Sequence, residues 1–299
     1  MKKTKVLACV LTVAMAAGLF AGCSKTTTIT TEKFVKACEK MGLEEFDLED
    51  SASPDYDDLE DGLYAVADED YVEDNPEEIE SFLGDLGLGG VIDADDVTSL
   101  AFAAKCSGAE DFSELSDPED LPDQEVDGAF ALQITLADDY VGDTMDFVED
   151  MLDQYDIDVK DLSNKEYYAG KKDGYFRFHV DVATFCKLAL ENEDLMDMVD
   201  LLYDSDDFED IMTQLKGDVA ISFEINGNNI FIIAGVGFNT KASNLNAFSK
   251  AFGAASNPTS VPANKNVVQQ IIEDTVDNYS GLLGGTAGAG YDDYDDWDI

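Results

Sequence analysis

The 299 residues carry 66 acidic side chains against 18 lysines and arginines, a formal net charge of −48, yet 45% of the chain is apolar and 10% aromatic. Such a charge repels nucleic acid at long range and excludes DNA and RNA as partners. The apolar fraction excludes simple disorder and predicts a real core in one large domain or two small ones.

Lys2, Lys3 and Lys5 precede an apolar run, residues 6–20, that closes on Ala21, Gly22 and Cys23. A basic start, a stretch too short for a stable membrane span and small residues before a cysteine predict an export signal over residues 1–22. Its removal takes three lysines and no acid, leaving −51 on 277 residues. Leu19-Phe20-Ala21-Gly22-Cys23 resembles the bacterial lipobox, with Phe20 where leucine is usual. The resemblance implies a diacylglyceryl group on the Cys23 sulfur; the alternatives are a secretory signal with an incidental cysteine and a retained membrane helix. Two acyl chains contribute about 0.8 kcal/mol per buried methylene, enough for stable anchoring. An acidic domain has no reason of its own to lie on an anionic bilayer, so the expected membrane contact is the lipid alone.

Residues 23–30 read as a polar, threonine-rich tether and residues 31–256 as an α+β domain. Thr31 reads as the N-cap of a helix with the apolar stripe Phe34, Val35, Cys38 and Met41, stopped by Gly42. Strands are expected at 46–48, 63–67 and 97–106, a helix opened by Asn75 at 76–86, and an acidic loop at 111–127. Phe130, Leu132, Ile134 and Leu136 alternate with Ala131, Gln133 and Thr135, the period of a strand with one face buried. Asp143 caps a helix bearing Phe147, Val148, Met151, Leu152 and Tyr155; residues 167–182 form a hairpin, and broken helices follow to 215. Val219, Ile221, Phe223 and Ile225 alternate into Asn226-Gly227, and the apolar run 230–238 leaves that turn as a central strand covered on both faces. A helix at 242–252, a C-terminal helix over 257–282 and a disordered acidic tail over 283–299 complete the expectation.

Phe34-Val35 and Phe147-Val148 each lead through a helix and a short strand to Asp-Gly-aromatic segments, Asp61 to Tyr64 and Asp173 to Phe176. Halves at 31–142 and 143–256 then read as a degenerate tandem of one αββαββ unit with antiparallel sheets and packed helices, coincidence being the alternative. The lipobox, the tether, the Thr31-Glu32-Lys33-Phe34 helix start and the Asn226-Gly227-Asn228-Asn229 hairpin resemble uncharacterised small extracytoplasmic lipoproteins of monoderm bacteria. No activity is implied by that likeness, and no functional residue beyond Cys23.

Enzyme signatures are scarce. His179 is the only histidine and Arg177 the only arginine, which removes multi-histidine metal sites and leaves one candidate for an imidazole triad. Tyr175, Arg177, His179 and Asp181 share one face of a strand whose other face is Phe176, Phe178, Val180 and Val182; the plain reading is a polar sheet face. With Lys165, Lys171 and Lys172 this is the most basic segment, making Lys171, Lys172, Arg177 and His179 the candidate contact for an acidic partner or for the chain's own acidic loops. Residues 123–128 start like a calcium loop, but its twelfth position is Ile134, which leaves only weak diffuse association of divalent cations with clusters such as 55–61 and 292–298. Cys38, Cys106 and Cys186 read as buried free thiols, with a single disulfide as the alternative. Between residues 219 and 272 the only acid is Glu224, against Lys241, Lys250 and Lys265, marking either the most buried part of the fold or a neutral face for protein contact. The expectation is a non-enzymatic, membrane-anchored surface lipoprotein without cofactor, acting as an interaction or binding module for an unidentified protein or small molecule. A solute-binding lipoprotein of a transporter is the alternative, and a cell-envelope hydrolase follows it.

Overall fold

A computed structural model describes residues 29–48, 56–110, 118–141, 144–153, 168–169, 174–193 and 205–253, with the single positions 196, 268, 269, 272 and 273. In chain order the elements are α1 (Thr31–Met41), β1 (Glu44–Glu45), α2 (Tyr56–Asp61), β2 (Leu63–Ala67), α3 (Glu69–Asp74), α4 (Pro76–Asp85) and β3 (Val97–Ser107). A 3-10 turn at Pro118–Asp123 leads into β4 (Val126–Leu136), followed by α5 (Thr144–Asp153), β5 (Tyr168–Ala169), β6 (Gly174–Asp181) and α6 (Val182–Leu190). Then come α7 (Ser205–Met212), β7 (Gly217–Asn226), β8 (Asn229–Phe238) and α8 (Ser243–Phe252). The strands form one sheet in the order β1-β2-β3-β4-β8-β7-β6-β5, antiparallel except for β1 on β2. The fold is α+β, as the interleaving of helices with hairpins requires.

The middle of the sheet follows from the sequence. Apolar side chains alternate along β7, and β8 is an unbroken apolar run, so the Asn226-Gly227 turn closes a hairpin with Asn226 opposite Asn229 and Gly227 at φ 64. β8 then lies between β7 and β4, buried along nearly its whole length. One face carries Phe130, Leu132, Ile134, Phe223, Ile230 and Ile232 under α2 to α6; the other carries Ala101, Ala103, Ala129, Ala131, Phe231 and Ile233 under α1 and α8. Each large apolar side chain so covered contributes about 1.5–3 kcal/mol relative to exposure.

Strands run inward as β1 to β4 from one edge of the sheet and as β5 to β8 from the other. Leu63–Ala104–Phe130 across β2, β3 and β4 and Phe176–Phe223–Ile232 across β6, β7 and β8 are cross-strand rows on the same face. The halves differ at their edge pairs, β1 on β2 being parallel and β5 on β6 antiparallel, and at the helices: Phe34 of α1 lies on one face of the sheet and Phe147 of α5 on the other.

Three local expectations shift. Thr30, not Thr31, caps α1, its hydroxyl accepting the Lys33 N–H at 3.4 Å, because the Thr31 hydroxyl donates instead to Gln133 Oε1 at 3.0 Å. The first strand is Glu44–Glu45 rather than 46–48; Phe46 still donates its N–H to Tyr64 O at 2.7 Å but lies past the ladder. β4 is buried on both faces, not one, since α1 and α8 cover Ala129, Ala131 and Gln133. Residues 1–28, 111–117, 143 and 283–299 lie outside the described residues, as does all of the C-terminal helix except 268–269 and 272–273, where Val268 and Ile272 are buried.

Two glycines let α8 approach the sheet. A Cβ on Gly235 would stand 2.6 Å from Gly128 O and 2.7 Å from Leu245 Cβ, and one on Gly237 would stand 2.2 Å from Ala242 N. A Cβ on Gly84, in α4, meets nothing within 4 Å. Urea denaturation therefore separates them: Gly235→Ala is expected to destabilise by about 2–3 kcal/mol through overpacking, and Gly84→Ala to stabilise by about 0.5–1 kcal/mol through helix propensity.

Candidate functional site

Two helices far apart in sequence form one layer on the β2-β3-β4-β8 part of the sheet. α1 turns Phe34, Ala37 and Cys38 inward; α8 turns Leu245, Phe248 and Phe252 inward. Phe252 sits on Phe34 with ring centroids 4.7 Å apart, and Phe231 of β8 lies 5.6 Å from Phe252, so an aromatic cluster fixes the helices to each other and to the strand. The outward positions carry Lys33, Lys36 and Lys40 on α1 and Lys250 on α8, with Lys241 just before α8; all five are exposed. The acids of the two helices are Glu32, which pairs with Lys36, and Glu39; Asp127 at the start of α8 and Glu45, in the Tyr64 row of β1, stand at the edges of the layer. With those edges counted, a chain of net charge −48 has one layer on which five lysines meet four acids.

The layer is tied down at both ends. At the start of α1, Gln133 is wholly buried and satisfied: it accepts from Thr31, and its Nε2 donates to Thr135 Oγ1 at 2.7 Å and to Asn229 Oδ1 at 3.4 Å. At the start of α8, where Ala242 offers no cap, the Asp127 carboxylate reaches across from β4 and accepts the Asn244 N–H at 3.0 and 3.2 Å. Burial pushes the Asp127 carboxyl up, and the N–H groups of Asn244 and Ser243 oppose that. Asp127, fifth in the apparent calcium loop, is therefore a helix cap. Beside it Asn239, the one described non-glycine at positive φ (53°), donates to Leu121 O, Pro122 O and Gln124 O at 2.9, 3.2 and 2.8 Å and accepts from Lys216 N at 3.2 Å, joining three chain segments.

Of the four sequence-predicted contact residues the structure describes Arg177 and His179. Arg177 is 5% exposed on β6, opposite Ser222 and diagonal to Glu224, which is 3% exposed; the only arginine and the only acid of residues 219–238 are both interior. The strand alternation was right, but a buried face, not an open polar one, receives these side chains. His179 Nε2 lies 2.7 Å from Asp218 Oδ1 across the β6–β7 pair. Lys165, Lys171, Lys172 and Cys23 lie outside the described residues.

Among the described residues no three thiol, imidazole or carboxylate groups converge as metal ligands. A cavity of about 630 Å³ opens beside α4, lined by Glu77, Glu80, Asp93, Asp95 and Asp96 together with Gly89 and Gly90. Cys38, Cys106 and Cys186 are free and buried, as the apolar stripes around them imply. Burial pushes the Cys38 thiol up to about 12 and those of Cys106 and Cys186 up to about 11.

No family model, curated protein or solved structure matches this chain.

The thiols give a pH signature. In the unfolded chain they ionise near their ordinary value of 9.0, while in the fold they keep their protons to about 11 or beyond. Over that interval the folded state binds more protons, so stability falls as pH rises, by up to about 1.4 kcal/mol per pH unit for each thiol. A variant carrying Cys38→Ala, Cys106→Ala and Cys186→Ala should show a flatter decline in urea midpoints above pH 9, and an unchanged slope would contradict the burial.

Proposed function

We propose that the protein is an extracytoplasmic lipoprotein, held to the cell membrane by acyl chains on Cys23, whose α+β domain works as a non-enzymatic interaction module. The observation that carries this is the order basic start, apolar run, Ala21-Gly22-Cys23 and polar tether, followed almost at once by folded chain. Ile29, 3% exposed, is already buried and Thr30 already caps α1, so the fold begins six residues after Cys23. A tether of that length is suited to holding a domain against a surface and has no other evident role.

Gln133 and Asn239 in the interior and half-buried Asp127 are committed to the Thr31, Thr135 and Asn229 side chains and to backbone groups, which supports a structural rather than a chemical use of them. The continuous eight-stranded sheet also favours a binding module over a two-lobed solute receptor, whose ligand would lie in a cleft between separate α/β lobes. The inward order of strands from both edges, β1 to β4 and β5 to β8, supports reading residues 31–142 and 143–256 as degenerate copies of one unit, joined through β4 and β8.

Mass spectrometry of the protein recovered from membranes tests the anchor: the expected product begins at Cys23 and carries a diacylglyceryl adduct. Cys23→Ala is expected to release the chain from the membrane fraction. A mature chain with an unmodified residue 23, or with the leader retained, would overturn the reading.

A further inference from the structure

We infer that the exposed face of α1 and α8 is the surface with which the anchored domain lies against the anionic headgroups of its own bilayer. The inference rests on the anchored reading and adds to it an orientation. Its first ground is charge. Residues 29–42 and 239–253 hold two of the chain's 66 acids and five of its 18 basic residues, so that even with Asp127 and Glu45 at its edges the α1–α8 layer is close to neutral in a chain of net charge −48. Its second ground is place. The tether enters this layer at the first turn of α1, and six residues span at most about 20 Å. The ten-residue strands beneath are each about 33 Å long. A lipid on Cys23 therefore brings α1 close to the membrane and leaves the far end of the sheet and its opposite face no comparable access.

The layer orients the domain; it does not recruit it. Each lysine near an anionic surface favours binding about fivefold and only within a Debye length of roughly 8–10 Å. A layer of five lysines and four acids cannot draw in a mature chain of charge −51 from solution, where repulsion dominates. Once the acyl chains hold the domain at the surface, the same repulsion acts on the opposite face, lined by α2 to α7, and turns it outward. Charge and tether thus select the same side. The outward face, with α4 and the acidic cavity beside it, is then the one offered to other molecules.

The test uses the chain from Cys23 onward, coupled through that thiol to a maleimide phospholipid at neutral pH, where the buried Cys38, Cys106 and Cys186 stay protonated and enclosed. In a Trp297→Phe background, which removes the only tryptophan, Ala247→Trp places a reporter on the exposed face of α8 and Ser81→Trp places one on exposed α4. Energy transfer to a dansyl headgroup is read on phosphatidylcholine vesicles with and without phosphatidylglycerol. With about 30% phosphatidylglycerol, transfer from the α8 reporter should exceed that from the α4 reporter by about threefold. The excess should shrink in high salt and disappear with Lys33→Glu, Lys36→Glu, Lys40→Glu and Lys250→Glu combined, while flotation shows the chain still bound. Replacing the same lysines by glutamine keeps the experiment informative if the reversed variant melts early. Equal transfer from both reporters, or an excess indifferent to lipid charge and to the lysines, overturns the orientation. An excess that appears only after residues 284–299 are removed overturns it too, because the acidic tail would then be the native occupant of the face. The synthetic anchor makes these outcomes independent of what is found on Cys23 in cells.

Discussion

Ionised carboxylates do not enter a protein interior unpaired, and this chain has 66 acidic side chains to keep out of one. Everything else in the architecture follows from where acids are scarce. β7 and β8 hold only Asp218 and Glu224 between them, and β4 only Asp127. Those three strands occupy the middle of the sheet with β3, while acid-rich segments such as α2, α3 and α4 pack with one face on the sheet and the other in water. The desolvation cost of a carboxylate thus acts beside apolar burial in setting which segments lie inside.

The exceptions show what makes an interior acid tolerable. Asp127 takes the place of a helix cap, so its charge meets two N–H groups at the positive end of α8. Glu224 shares a face with Arg177 at diagonal positions of the β6–β7 pair, bringing the single guanidinium of the chain into the same interior region as the single acid of its stretch. Neither residue is available for an outside partner, which is why the most basic-looking strand is not the most basic-looking surface.

Much of the fold was legible because its signals are local. The β7–β8 hairpin is written in one turn dipeptide and two apolar patterns, and α1 in its cap, stripe and Gly42, which lies at φ 77. What was not legible depends on elements that meet only in three dimensions. Ala129, Ala131 and Gln133 look like the wet side of β4 until α1 and α8 close over them, because small and amide side chains do not reveal whether a helix covers a strand. The lysine-bearing layer was only half legible: the scarcity of acids around α8 stands in the sequence, but Lys33 and Lys250 are more than two hundred residues apart, and nothing local shows that α1 packs beside α8. Arg177 and His179 were placed on the right strand face, but exposure is a property of what packs above a face, not of alternation.

The sheet begins and ends on strands of two residues, Glu44–Glu45 and Tyr168–Ala169, and the first presents two exposed glutamates. A long bare margin would template stacking of one copy on the next. Edge strands this short, one of them carrying two charges, offer a second copy little to pair with, so the sheet is poorly suited to grow from molecule to molecule into ribbons.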